Sequence, residues 1–136
     1  MEIKKFFCVG ILFWAGMILM VSGCDNPAPA NVTGTVTFDG KPLPQAMVIF
    51  SPVDGSRSSV GVTDAQGTYK LRFSASASGA IVGEHKVEIR TATTDPDPSD
   101  KTKAVEIIPA RYNNSTELRQ ILKKGTQVIN FDISSQ

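Results

Sequence analysis

The chain has few of the side chains that bind metal ions or form disulfides. Its 136 residues include 2 cysteines, 1 histidine and 1 tryptophan. Cys8 lies inside the apolar N-terminal run and Cys24 directly follows it, so removal of that run would leave one cysteine and exclude an intrachain disulfide. Zinc and non-haem iron sites usually use two or more imidazoles or thiolates, so a lone His85 predicts neither a metal site nor a bound cofactor.

The chain also lacks an excess of charge of either sign. It has 14 basic and 13 acidic side chains and a formal net charge of +1. Loss of residues 1–23 would remove two lysines and one glutamate, leaving 12 side chains of each sign. Such a balance gives no electrostatic attraction for nucleic acid, and a chain of this length is typical of a single domain.

Residues 1–23 have the three-part layout of a signal peptide helix. Two lysines precede an uncharged apolar stretch from Phe6 to Val21, and small residues then lead to Cys24. The alternative is an uncleaved membrane anchor, because about 18 apolar residues can span a bilayer and the stretch from Phe6 to Gly23 just reaches that length. The run ends at small residues and cysteine, not at basic or aromatic anchors, which favours the signal peptide.

The segment Val21-Ser22-Gly23-Cys24 resembles the bacterial lipobox. The resemblance implies cleavage between Gly23 and Cys24, diacylglycerol on the Cys24 sulfur, and a protein anchored at the extracytoplasmic face of a bacterial membrane. Asp25 resembles the inner-membrane retention signal of enterobacterial lipoproteins and favours that membrane. Residues 24–31 therefore form the lipidated cysteine and a short, proline-containing tether.

Residues 32–136 show an alternation of apolar and polar side chains that predicts about seven β-strands and a β-sandwich domain. Ala46 to Phe50 is apolar on both faces, which is typical of a strand in the middle of a sheet. Asp39-Gly40 and the Asp64 to Gly67 segment predict turns. The predicted inward-facing residues are Val32, Gly34, Val36, Phe38, Val60, Val62, Tyr69, Leu71, Phe73, His85, Val87, Ile89, Ile129, Phe131 and Ile133.

One histidine and one cluster of aspartates suggest metal binding at first sight. His85 lies on the inward-facing side at the start of a strand, where a buried, hydrogen-bonded structural role is favoured. Asp95, Asp97 and Asp100 suggest a calcium loop, but two prolines intervene and the downstream bidentate glutamate is missing. The acidic group is therefore predicted to be a solvated loop.

The folded region contains four motifs, Val32-x-Gly34-x-Val36, Gly40-Lys41-Pro42-Leu43-Pro44-x-Ala46-x-Val48-x-Phe50, Thr63-Asp64-x-x-Gly67-x-Tyr69 and Pro109-Ala110-Arg111-Tyr112. They resemble those of the carboxypeptidase regulatory-like domain, above all in small bacterial lipoproteins whose mature chain is one such domain. The resemblance covers about residues 32–134 and implies a seven-stranded transthyretin-like, or prealbumin-like, β-sandwich. Gln45 departs from the pattern, because relatives often have glycine there.

The family brings no reaction with it, so the leading hypothesis is a non-catalytic, lipid-anchored module with a structural or a protein- or glycan-binding role. The alternative is a small hydrolase or transport-type enzyme of the transthyretin-like fold. Transthyretin-like hydroxyisourate hydrolases resemble this fold but use several histidines, and intradiol dioxygenases use two histidines and two tyrosines. This chain offers only His85, Tyr69 and Tyr112 for such sites.

Binding residues are predicted in one segment, where Arg111, Tyr112 and Asn113 follow a proline in a predicted loop. Tyr112 is the aromatic residue best placed to contact a ligand, because most other aromatics of the domain occupy inward-facing strand positions. A packing role for the same segment is the favoured alternative. No ligand is indicated by the sequence.

Overall fold

Two β-sheets account for nearly all the regular structure of the protein. A computed structural model describes residues 30–91 and 106–136, and confirms the predicted all-β, sandwich-like fold. The strands are β1 (Asn31–Phe38), β2 (Lys41–Pro42), β3 (Met47–Pro52), β4 (Ser59–Val62), β5 (Thr68–Lys70), β6 (Gly83–Arg90), β7 (Arg119–Leu122), β8 (Thr126–Val128) and β9 (Phe131–Ile133), and a 3-10 helix (Ala110–Tyr112) precedes β7.

Some of the predicted features lie outside the described residues. These are the signal peptide, Cys24 with Asp25, the tether as far as residue 29, and the acidic loop around Asp97. At the start of the described region a β-bridge joins Ala30 to Ala80. Strand β1 then begins at Asn31, one residue before the predicted start of the domain.

The first sheet is built around β1. Strands β2 and β5 pair with β1 in antiparallel orientation, and β8 and β9 pair with it in parallel orientation. The second sheet is antiparallel throughout, in the order β4, β3, β6, β7. Strand β3 therefore lies between two partners, as its two apolar faces predict.

Aromatic side chains join the two sheets at the centre of the sandwich. The Phe131 ring stacks on Tyr69, with 6.3 Å between centroids, and meets Phe50 edge-on at 6.1 Å. Both Phe50 and Tyr69 are almost completely buried. Burial of each ring stabilises the fold by about 2 kcal/mol or more. The predicted inward-facing hydrophobic residues of β1, β6 and β9 contribute to this core, with Phe38 at its margin, and Val48 and Phe50 enter it from β3.

The prediction for β4 is wrong, because its valines face outward. Ser59 and Gly61 point into the sandwich, whereas Val62 is exposed and Val60 is only partly covered. A Cβ atom on Gly61 would lie 2.9 Å from the Lys70 carbonyl oxygen and 3.2 Å from the Tyr69 ring. Strand β4 thus passes so close to β5 that no larger side chain fits inward at that position.

The predicted C-terminal strand is divided into β8 and β9 by an irregular pair of residues. The Ile129 carbonyl turns toward the core and accepts a hydrogen bond of 2.7 Å from the Tyr69 hydroxyl. Asn130 Oδ1 then accepts the Thr35 N–H at 3.0 Å. A Cβ atom on Gly34 would overlap the Ile129 carbonyl oxygen. This break, together with the two-residue β2, raises the strand count from about seven to nine.

The turn between β4 and β5 forms as predicted. Asp64 Oδ1 accepts the N–H groups of Gln66 and Thr68, each at 2.9 Å, and the Gly67 N–H donates to the Asp64 carbonyl at 3.0 Å. Gly67 has a positive φ of 75°. A Cβ atom there would also lie 2.6 Å from the Val36 carbonyl oxygen, so both backbone geometry and space require glycine.

Gln45, the departure from the family pattern, lies in a left-handed backbone conformation with φ of 55°. Its N–H donates to the Thr63 carbonyl at 3.0 Å. The Thr63 hydroxyl accepts the Ala46 N–H at 2.8 Å and donates to the Leu43 carbonyl at 2.6 Å. These buried hydrogen bonds hold the turn in a geometry that normally favours glycine.

We expect Gln45→Gly to raise the free energy of unfolding by about 0.5 to 1 kcal/mol. A left-handed non-glycine residue costs about 1–2 kcal/mol, and the extra unfolded-state entropy of glycine cancels part of that gain. Urea denaturation of the purified protein would measure the change. Gln45→Ala is the matched control and should leave stability nearly unchanged, because alanine keeps the Cβ atom. A loss of stability in Gln45→Gly would contradict this explanation of the turn.

Candidate functional site

The segment with the predicted binding residues folds as a single turn of 3-10 helix. Pro109 precedes it with φ of −57° and ψ of 146°. The Tyr112 N–H donates to the Pro109 carbonyl at 2.9 Å, and the Asn113 N–H donates to the Ala110 carbonyl at 3.1 Å. The fixed φ of proline suits the residue before such a turn, and the helix ends after three residues. Arg111, Tyr112 and Asn113 are therefore held side by side.

Arg111 fastens this turn to the C-terminal segment. Its guanidinium lies over the Tyr112 ring, 4.9 Å from the centroid. Nη2 donates to the carbonyl oxygen of Ser134 at 2.9 Å and to its hydroxyl at 3.0 Å. Hydrogen bonding with Ser134, helped by the Arg111 charge and opposed by partial burial, lowers the pKa of the Tyr112 phenol. The arginine stabilises the phenolate and covers one face of the ring.

Asn113 faces the interior, and both polar atoms of its side chain are hydrogen-bonded. It is 3% exposed, and Nδ2 donates to the Ile108 carbonyl at 3.0 Å while Oδ1 accepts the Asn114 N–H. Its backbone carbonyl accepts the Thr116 N–H at 3.1 Å. Of the three predicted residues, only Arg111 and the rim of Tyr112 face solvent.

We expect Asn113→Asp to lower the free energy of unfolding by about 1 to 3 kcal/mol. The change buries a carboxylate, removes the donor to Ile108 and places charge against a carbonyl oxygen. The neighbouring Asn114→Asp is the matched control, because Asn114 is exposed and already accepts a hydrogen bond of 2.9 Å from Arg90. Its effect should be about 0.5 kcal/mol or less. Equal losses in the two variants, measured in urea, would show that Asn113 has no special structural role.

His85 has the structural environment that its position predicts. It is 0% exposed, and its Nδ1 lies 3.0 Å from the Gly83 carbonyl oxygen. Its ring lies 5.9 Å from that of Phe50. Nε2 is buried and has no hydrogen-bond partner among the described residues. The imidazole is closed off from solvent by β3 and the packed core.

A groove of about 610 Å³ lies between β4 and β5 and was not predicted from the sequence. Val60 and Val62 form its apolar wall, and Lys70 and Arg72 supply positive charge. Strand β4 meets the segment after β5 at one bridge, between Val60 and Arg72, with N···O distances of 2.9 and 3.0 Å. The groove results from the same outward turn of the β4 valines that the alternation pattern missed.

No three His, Cys, Asp or Glu side chains within residues 30–91 and 106–136 are grouped so that they could hold a metal ion. Over the same part of the chain, no helix has the length and apolar character needed to cross a membrane.

Comparisons with known proteins give one structural similarity. No protein-family model matches the chain, and no curated protein matches it. The crystal structure of a DUF3823 family protein from Parabacteroides merdae aligns with a TM-score of 0.43 and 16% sequence identity. The alignment covers 78% of this chain and 46% of that one, so the chain spans less than half the length of that protein.

Proposed function

We propose that the chain is a lipid-anchored bacterial envelope protein whose folded part is one carboxypeptidase regulatory-like β-sandwich. One observation carries the proposal: an uncharged apolar run ends at Val21-Ser22-Gly23-Cys24. Acylation of Cys24 fixes the domain at the extracytoplasmic face of the membrane. More than one acyl chain gives stable anchoring, because each buried methylene contributes about 0.8 kcal/mol.

The internal contacts of the domain support a non-catalytic role. His85 is sealed inside the sandwich, and the Tyr69 hydroxyl is bound to a backbone carbonyl. Both the Nδ2 and the Oδ1 of Asn113 are hydrogen-bonded to the backbone. These polar side chains therefore stabilise the fold, and their arrangement does not present a nucleophile with a base to solvent.

The geometry of Tyr112 favours a structural role for its segment over glycan binding. A sugar ring usually stacks on a free aromatic face, but Arg111 covers one face of Tyr112 and the ring packs against the core. The exposed guanidinium edge is still available to a protein ligand. We therefore propose that the segment mainly fastens the C-terminus, and that any ligand contacts Arg111 from outside.

Metabolic labelling with a palmitate analogue tests the proposed anchor. The wild-type protein should be labelled, and so should Cys8→Ala, because Cys8 lies in the removed segment. Cys24→Ala should carry no label and should run as the larger, uncleaved precursor. Labelling of Cys24→Ala, or an unlabelled wild-type protein, would refute the lipid anchor.

A further inference from the structure

One end of the sandwich, where the chain arrives from residue 29, forms a distinct surface. The Asn31 N–H donates to the Gly125 carbonyl at 2.9 Å, which places the turn between β7 and β8 beside the start of β1. The Val53 N–H donates to the Glu84 carbonyl at 3.0 Å, which adds the loop after β3. The Leu71 N–H donates to the Val32 carbonyl at 2.9 Å, and Arg57 lies over the Phe73 ring at 5.6 Å, which adds the segment after β5. We call this end the N-terminal pole, formed by Ala30–Asn31, residues 53–58, residues 70–73, residues 82–84 and residues 121–125.

Positive charge is concentrated at the N-terminal pole. It carries five exposed basic side chains and two acidic ones. No ion pair among the described residues involves these basic groups, whereas Lys86 and Arg90, farther along β6, both pair with Glu88 at 3.2 and 3.0 Å. The basic residues are Arg57, Lys70, Arg72, Lys123 and Lys124, and the acidic residues are Asp54 and Glu84.

The opposite end of the sandwich has different chemistry. Strand β1 runs for eight residues, so about 23 Å separate its two ends. At the far end Asp39 follows β1, and Asp132 pairs with Thr37 near the end of that strand. Lys41, at the start of β2, is the basic residue of that hairpin. Arg111, bonded to Ser134 just after β9, is a second basic residue at that end, so the charges named there balance, whereas the N-terminal pole has three more basic than acidic side chains.

Apolar side chains are exposed among the basic groups of the N-terminal pole. Val53, Val82 and Ile121 are 58%, 37% and 68% exposed. Ile121 is paired with Glu84 across β6 and β7, and Val53 is bonded to Glu84 from the other side, so these two apolar side chains flank one row of the sheet. Exposed aliphatic groups surrounded by lysine and arginine are typical of surfaces that lie on anionic lipid.

We propose that the N-terminal pole docks on an anionic lipid surface, with its basic side chains on headgroup phosphates and its aliphatic side chains in the interfacial layer. The inference rests on the proposed anchor at Cys24. Five residues lie between Cys24 and Ala30, and the six Cα-to-Cα steps span about 20 Å at most, so the anchor presents this end of the domain to the membrane. Headgroup charge acts over about 8 Å at physiological ionic strength, a distance that a bent tether readily allows.

A fluorescent label at one introduced cysteine tests the docking. The acylated mature protein has no other free thiol, because residues 1–23 are removed and Cys24 is blocked. We would label Val53→Cys at the pole and Lys41→Cys at the far end with an environment-sensitive dye. The full-length processed protein is then reconstituted into phosphatidylcholine vesicles with and without phosphatidylglycerol.

Docking predicts a blue shift of the Val53→Cys label in the phosphatidylglycerol vesicles that is lost in high salt, and no shift at Lys41→Cys. Lys123→Glu with Lys124→Glu should abolish the shift. Lys41→Glu reverses a charge at the far end of the sandwich and should leave the shift intact. Equal emission from both labels in both vesicle types would refute docking, as would a shift that survives the Lys123 and Lys124 changes.

Vesicle flotation separates this inference from the anchor. Flotation with both vesicle types, without a shift, would refute docking and leave the anchor standing. Flotation with anionic vesicles alone would refute the anchor and support docking. Failure to float with either would refute both.

Discussion

Gly34→Ala is expected to lower the free energy of unfolding by about 3 kcal/mol or more. The added methyl group would overlap the Ile129 carbonyl oxygen and lie 3.0 Å from Cε1 of Tyr69. The obstructing atom is backbone, so no rotamer change relieves it. Either β8 and β9 move away from β1, or the Tyr69 to Ile129 hydrogen bond breaks. Urea denaturation, or the amount of folded protein where the variant does not fold, would measure the loss.

Gly40→Ala is the matched control for this prediction. Gly40 has a positive φ of 77°, but its added Cβ would have no atom within 4 Å. The substitution should lower the free energy of unfolding only by the strain of a left-handed backbone, about 1–2 kcal/mol. If the two substitutions cost the same, the close approach of Ile129 to Gly34 is not a determinant of stability.

Tyr69→Phe is expected to cost about 1 to 3 kcal/mol at neutral pH and to change the alkaline stability of the protein. The substitution removes the hydroxyl that donates to Ile129 at 2.7 Å and leaves a partly buried carbonyl without that donor. Ring packing against Phe131 is retained, so the loss reports the hydrogen bond.

The alkaline effect follows from the buried phenol of Tyr69. Burial raises the pKa of Tyr69 above its ordinary value of 10.0. Its contribution to stability is therefore complete below pH 10 and is lost as pH rises, because the unfolded chain ionises first. Each pH unit above 10 should cost about 1.4 kcal/mol from this group. Unfolding free energies measured between about pH 8 and pH 11 should fall more steeply in the wild type than in Tyr69→Phe.

Tyr112→Phe provides the control of opposite sign. The pKa of Tyr112 is lowered in the folded protein, so this phenol ionises at lower pH there than in the unfolded chain. The folded state therefore gains stability from Tyr112 as pH rises toward 10. Removing the Tyr112 hydroxyl should make the free energy of unfolding fall more steeply at alkaline pH. Removing the Tyr69 hydroxyl should make that fall less steep. Identical pH profiles for the two variants would contradict the contrast between the buried and the exposed phenol.

The local pattern of the sequence predicted much of the fold, because most determinants of these strands lie within a few residues. Alternation identified the buried sides of β1, β6 and β9, and the Asp64 to Gly67 segment identified its turn. The orientation of β4 could not be predicted in this way. It depends on the close approach of the Lys70 backbone to Gly61, a contact between two strands that the alternation within β4 does not show.

The candidate site was accessible to prediction only where its residues are neighbours in sequence. Arg111, Tyr112 and Asn113 are adjacent, so they could be selected together, but the Ser134 partner of Arg111 comes from the far end of the chain. The division between β8 and β9 has the same origin, since Tyr69 and Ile129 are 60 residues apart. The basic residues of the N-terminal pole are likewise scattered from Arg57 to Lys124.

The intact mass of the protein purified from its native membrane tests the lipid anchor most directly. We predict a chain that begins at Cys24 and carries the added mass of diacylglycerol on its sulfur, with or without a further acyl chain on its amine. The proposed docking of the N-terminal pole depends on the same attachment. A chain with an intact N-terminus and an unmodified Cys24 would contradict it.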